Sequence, residues 1–165
     1  MQIADQIVQA VEPFAKVYNH SKVLSIGTTY AHLAAMLGAG GVAVAADRTT
    51  LGLDASDRDG VARHVAAQQR MHRWVVTGLV IAAVSGAMMF ASDAEIFLKS
   101  AWYWAKLGSV ALLLGNGLLL QRAEKALAAD PGDAKAVGRL RLSAGLSLAL
   151  WFVAALLGVI VKNEA

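Results

Sequence analysis

Four polar side chains in this sequence could do chemistry together: His32, Ser85, Lys106 and Ser109. Each stands inside a long apolar stretch, where a polar group is costly and marks a working site by default. An imidazole, two hydroxyls and an ammonium could bind an anion or carry a proton. With Trp151 they form the candidate cofactor-binding set. His32 with Met88 and Met89 forms a candidate metal set, since imidazole and thioether ligate haem iron or copper. Bis-histidine haem ligation needs two imidazoles at one depth, and only His32 is deep. His64 and His72, eight residues apart, could share a helix face but have no third ligand nearby. The apolar blocks contain no carboxylate, and no phosphate loop, nucleophile elbow or zinc-protease helix occurs, so no catalytic residue is assigned.

The elements that must position these groups are the apolar blocks themselves. The chain has 165 residues, 57% hydrophobic and 16% charged, where a soluble domain carries about a quarter charged residues. The apolar excess falls in blocks at about 23–46, 74–91, 102–120 and 142–161. Each is close to the ~20 residues that cross a bilayer as a helix. Backbone groups cannot stay unpaired in hydrocarbon, so the blocks are expected to be helices. The fold class that follows is all-α: an integral membrane four-helix bundle in a single domain.

The N-terminal stretch, residues 1–20, has another pattern. Ile3, Ile7, Ala10, Phe14 and Val17 share one helical face, and Asp5, Gln9, Glu12 and Lys16 another. That predicts an amphipathic helix lying in the membrane interface, kinked or divided at Pro13, or one packed on another subunit. The first inner loop offers Ser56 or Asp57 as helix cap and helix formers that continue toward the second block. The third loop reads as helix, a turn at "DPGD", then helix.

Positive charge sets the expected orientation. Arg48, Arg58, Arg63, Arg70 and Arg73 lie in the first loop, and Arg122, Lys125, Lys135, Arg139 and Arg141 in the third. Both loops should face the cytoplasm and both termini outward, with Trp102, Tyr103 and Trp104 in the outer aromatic belt. The net charge of +3 sits beside the blocks rather than on a nucleic-acid-binding face, and no nucleic-acid motif is present. There is no cysteine, which removes disulfides and thiolate sites. No cleavable leader is visible.

On helical wheels the polar residues align. Ser25, Thr28, Thr29, His32, Met36 and Ala39 share a face. So do Gly78, Ala82, Ser85, Met89 and Ser92, and Trp102, Lys106, Ser109, Leu113 and Asn116. Ser143, Ser147, Ala154 and Gly158 form a weaker stripe. These faces should point inward, with "LGAGG" (37–41) and "LGNG" (114–117) as places of close backbone approach. At ~1.5 Å per residue, His32 lies roughly 14 Å from the outer edge and Lys106 about 6 Å. His32, Ser85, Lys106 and Ser109 then share one outward-opening cavity, with Trp151 at the depth of His32. Lys106 alternatively snorkels to the interface.

The stretches "HLAAMLGAGGVAVAADRTTLGL" and "TGLVIAAVSGAMMFASDAEIFLKSAWYWAKLGSVALLLGN" carry a resemblance. Both resemble an uncharacterised family of bacterial four-helix inner-membrane proteins, loosely similar to the membrane part of copper-resistance D proteins. The resemblance implies His32, Asp47, Arg48 and Lys106 as positions of interest and supplies no activity.

Three functions remain open at this stage. The chain is an accessory or structural subunit of a larger assembly, contacting lipid and other membrane chains or its own copies. Or it handles haem or copper through His32 with Met88 and Met89, although no cofactor is the leading expectation. Or it is a small transporter or conduit lined by His32, Ser85, Lys106, Ser109 and Asn116.

Overall fold

A computed structural model describes residues 2–164. Among them six helices are found: α1 Gln2–His20, α2 Lys22–Leu51, α3 Arg58–Ser92, α4 Ala94–Lys99, α5 Ala101–Ala129 and α6 Ala134–Glu164. The described chain is all-helical. Four of the five breaks fall where side chains satisfy orphan amides at helix starts, and α4 follows Asp93 without such a cap. Ser21 accepts from the Leu24 amide at 3.3 Å and starts α2. Asp57 accepts from the Gly60 amide at 2.9 Å and starts α3. Ser100 accepts from the Tyr103 amide at 3.3 Å and starts α5. In the "DPGD" turn Asp133 Oδ1 accepts from the amides of Lys135 and Ala136 at 2.9 and 3.1 Å.

Helices α2, α3, α5 and α6 are each long and apolar enough to cross a membrane, which makes this a multi-pass membrane protein. They run well past the apolar blocks. α3 has 35 residues and absorbs most of the first inner loop, and α5 continues nine residues beyond Leu120. Each helix lies beside the next in the order α3, α2, α6, α5; α3 and α5 close the ring with the weakest contact of the neighbouring pairs, and the diagonal pairs α2–α5 and α3–α6 have no close backbone approach. The polar stripes face inward: Thr28, Ser85, Ser109, Asn116, Ser143 and Ser147 are buried. Leu37, Val84, Leu118, Phe152 and Leu156 are exposed, the surface that hydrocarbon would cover.

Two packing layers hold the helices. At the end of the bundle that carries the α2–α3 and α5–α6 turns, Val61, Val65, Ala123, Leu127, Ala136, Val137 and Leu140 form a cluster with almost no exposure. Most of it lies beyond the apolar blocks, where water is the solvent and apolar burial is strongly favourable. In mid-bundle Ala39, Ala43, Leu113 and Trp151 form a second, thinner cluster. There lipid is as apolar as the side chains, and association depends on close packing. Gly78 supplies that closeness: a Cβ on it would lie 2.6 Å from Ala39 Cβ and 3.3 Å from the Ala35 carbonyl oxygen.

Two expectations need correction. Gly38, Gly41, Gly115 and Gly117 have nothing within 4 Å of a Cβ position, so "LGAGG" and "LGNG" are not general contact faces. Only Gly40 of these is a contact, against the Trp151 ring, because a glycine run turns through 100° per residue and one member meets the neighbour. Second, α1 runs through Pro13 without a break. On its apolar face Ile7 and Phe14 are half-buried, while Ile3 and Val17 are exposed and free to meet an interface. Tyr18 is the residue that buries, and Asn19 Nδ2 donates to the Ser92 carbonyl at 3.3 Å, tying α1 to the outer end of α3.

Candidate functional site

The half of the bundle nearest the chain termini holds part of the expected site. His32 Nδ1 lies 2.9 Å from the Ala82 carbonyl and 3.1 Å from Ser85 Oγ. A carbonyl only accepts, so Nδ1 carries the proton and, in the neutral ring, Nε2 keeps its lone pair. Gly86 makes room for the ring, since a Cβ there would lie 3.2 Å from His32 Cε1. Lys106 is half-buried within electrostatic range of His32, and its Nζ lies 3.6 Å from where a Gly158 Cβ would stand. Lys106 therefore faces α6 and the bundle. Ser85 and Ser109 spend their hydroxyl protons on their own helices, donating to the carbonyls of Ile81 at 2.6 Å and Lys106 at 2.7 Å.

Neither of the two best-formed recesses holds all four groups. The outer recess is an open groove between α2 and α3, lined by Ser85 and Met88 but not by His32, Lys106 or Ser109. Met89 contributes its carbonyl to the Ser92 hydroxyl. Trp151 is not at the depth of His32. It packs on Gly40, eight residues further along α2, about 12 Å inward at helical rise. Further out, Lys99 lies 2.6 Å from Glu95 on exposed α4, and that hydrogen bond holds the Glu95 carboxyl below its ordinary value.

The larger concentration of polar groups is at the inner end. Thr50 is fully buried. Gln68 Nε2 donates to its hydroxyl at 3.0 Å, and His64 Nε2 lies 2.9 Å from it. His72 is held separately: its Nε2 lies 2.8 Å from Gln121 Nε2, so the ring nitrogen accepts from the amide as assigned. The two histidines thus have different partners and do not meet at a metal. Among the described residues no group of three or more histidines and carboxylates could hold a metal ion. Asn116 Nδ2 donates to the Ser143 carbonyl at 2.8 Å and fastens α5 to α6.

Between these groups lies a cavity of about 280 Å³, walled by α2, α3, α5 and α6. It is mostly apolar, with Asp47, Gln68, His72, Glu124, Ser147 and Trp151 as its notable members. Asp47 is 3% exposed and Glu124 5%. Asp47 Oδ2 has no hydrogen-bond partner, and the Ser147 hydroxyl is the polar group that interacts with the carboxyl. The ion pairs found among the described residues are Lys16–Glu12, Arg63–Asp57 and Lys99–Glu95, and neither buried carboxyl joins one.

Sequence reading missed most of this site. The expectation of a bundle without carboxylates holds only within the apolar blocks, which stop at residues 46 and 120. The helices continue to Leu51 and Ala129, and their inward faces continue with them. The signal was the wheel position: Ala35, Ala39, Ala43, Asp47 and Thr50 repeat at three- and four-residue steps, as do Ser109, Leu113, Asn116, Glu124 and Leu127 with one step skipped. Compared with known protein families, curated proteins and solved structures, the chain matches none.

Proposed function

We propose that this chain is a four-helix bundle of a bacterial inner membrane, akin to the family it resembles, that holds a small ligand at its cytoplasmic end. Both termini face outward, α1 lies along the outer interface, and the arginine-rich ends of α2, α3, α5 and α6 face the cytoplasm, as the distribution of positive charge requires. The observation that carries the ligand reading is Asp47, a buried carboxyl with a free oxygen on a cavity wall. A buried polar atom without a partner costs about 1–3 kcal/mol, more when charged. A bound ligand offsets that cost, and a functional site is where such a cost is tolerated. The cavity far exceeds the ~10–15 Å³ that one water needs and approaches the ~300 Å³ lower bound of small-molecule sites.

The cavity is the inner of two polar regions in the bundle. His32 and Lys106 form the outer one, and the Trp151 layer lies between them. That order suits a conduit closed at its middle. The haem or copper reading draws less support. His32 keeps only Nε2 for a metal, and Met88 lines a groove that His32 does not enter.

Cysteine labelling tests the reading, because the chain has no native cysteine. Gly117 lines the cavity and has free space where a Cβ would stand. In membrane vesicles, a charged, water-soluble maleimide is expected to modify Gly117→Cys from the cytoplasmic face and not from the other. Modification only by a membrane-permeant reagent places Gly117 in lipid and ends the ligand reading.

A second reading, an accessory subunit, is supported by one feature: of the neighbouring helix pairs around the bundle, α3 and α5 make the weakest contact, which leaves room for a partner helix along that side. A partner helix seated there would shield Gly117→Cys in native membranes. It would also co-purify in mild detergent at fixed stoichiometry.

A further inference from the structure

We propose that the inner cavity binds a small organic cation, an ammonium group on a compact apolar body. This rests on the cavity being a ligand site, and it adds the chemical class. Asp47 on α2 and Glu124 on α5 both reach the cavity wall, and both are more than nine-tenths buried. No lysine or arginine lines the cavity, and its one histidine, His72, is engaged through Nε2 with the Gln121 amide. Asp47 Oδ2 is unpartnered, and neither carboxyl is in an ion pair among the described residues. Carboxylates in such a place must be protonated or meet a cation, because an unpaired buried charge is expensive.

The rest of the wall selects the kind of cation. Trp151 presents an indole, the ring that attracts an ammonium most strongly. Val75, Leu79 and Leu113 cover the remainder with hydrocarbon. A bare calcium ion takes six to eight oxygen ligands and magnesium an octahedron of them. Among the described residues no group of three or more histidines and carboxylates is placed to hold such an ion, and the apolar area of the wall suits the methyl and methylene groups of an organic cation. Ser147 and Gln68 add hydrogen-bonding groups that could orient a polar substituent.

The same chemistry occurs in free amines and in the ammonium headgroup of a phospholipid. The test uses the full chain in detergent, titrated calorimetrically with choline, with tetraethylammonium, and with 3,3-dimethylbutanol, which matches choline in shape without the charge. Choline or tetraethylammonium is expected to bind, with the neutral alcohol at least tenfold weaker. Asp47→Asn and Glu124→Gln keep side-chain shape and remove charge. Each is expected to weaken cation binding tenfold or more, and the double variant to abolish it. Monodisperse elution and a melting temperature at or above the parent's establish that these variants are folded.

Native mass spectrometry separates the two sources, and either of its positive results supports the proposal. A phosphatidylethanolamine adduct that disappears in the double variant identifies the headgroup. Choline uptake without such an adduct identifies a free amine. Equal binding of choline and its neutral isostere overturns the proposal, as does undiminished cation binding in the double variant, or binding of neither cation. In each of these cases cytoplasmic labelling of Gly117→Cys keeps the cavity as a ligand site. If that labelling fails as well, the site reading falls with the proposal.

Discussion

Gly78→Leu is expected to leave little folded protein. The α2–α3 crossing is built around Gly78, where even a methyl group would overlap Ala39 Cβ at 2.6 Å and press on the Ala35 carbonyl at 3.3 Å. Neither neighbour is the flexible end of a side chain. One is a Cβ fixed to its backbone and the other is backbone itself, so α2 must move. Overpacking of well-packed sites costs about 1–3 kcal/mol and sometimes more, and a leucine at a helix crossing belongs at the upper end. The outer site moves with α2, since His32 reaches across to Ala82 one turn from Gly78. Thermal unfolding in detergent, followed by size-exclusion fluorescence, is expected to show a large fall in melting temperature and an aggregated peak. Gly38→Leu is the control. Nothing lies within 4 Å of its Cβ position, and its melting temperature should stay near the parent's.

The second large effect is expected from Trp151→Ala. Trp151 is 6% exposed and seated on Gly40, in the layer of Ala39, Ala43 and Leu113. Truncating a buried tryptophan or phenylalanine to alanine costs about 3–5 kcal/mol, because the surroundings refill the space only in part. Here the loss has a second consequence. Gly40 stands roughly midway between His32 and Asp47 on α2, about 12 and 10 Å from them along the axis. The indole therefore separates the inner cavity from the outer polar pair. Its removal should destabilise the bundle and also open that separation. Proton flux in reconstituted vesicles, low in the parent, is expected to rise in Trp151→Ala and stay low in Trp151→Phe. A rise in both variants, or in neither, would detach the indole from any barrier role.

The apolar blocks make the four long helices legible, because bilayer thickness and backbone satisfaction leave no other form for such stretches. The inward stripes are equally readable, since hydroxyl, amide and imidazole groups find no partner among lipid tails. Helix ends are less so. Hydropathy falls where Asp47, Arg48 and Glu124 appear, yet the helices continue because Asp57, Gly52 and the "DPGD" turn, rather than the first charge, mark their limits. A hydropathy limit is a boundary of solvent, and a cap is a boundary of backbone. Treating the first as the second hides the inner cavity, whose carboxyls lie between the two.

His32 illustrates the other gap. Its place on the inward stripe follows from the sequence, but its partners do not. Ala82 and Ser85 are 50 and 53 residues away, and their approach depends on Gly78 and Gly86 letting α3 lie close to α2. Lys106 likewise turns to Gly158 of α6, a pairing fixed by helix order rather than by anything local to "AWYWAKLGSV". The depth of Trp151 differs from the residue count for a related reason. Counting residues from a block edge assumes that all helices start at one level, and α6 begins far below its apolar block, at Ala134.

Cross-linking asks most directly whether α2 and α5 turn Asp47 and Glu124 toward one cavity. The double variant Asp47→Cys/Glu124→Cys, in a chain otherwise free of cysteine, is treated in membrane vesicles with a short bifunctional methanethiosulfonate. Arg48→Cys/Glu124→Cys, one residue further round α2 at an exposed position, is treated in parallel. A monomeric product with a cross-linked shift on a non-reducing gel, in the first pair and not in the second, is the predicted result. Cross-linking of the Arg48 pair alone, or of neither pair while both cysteines react singly with a monofunctional reagent, would contradict it.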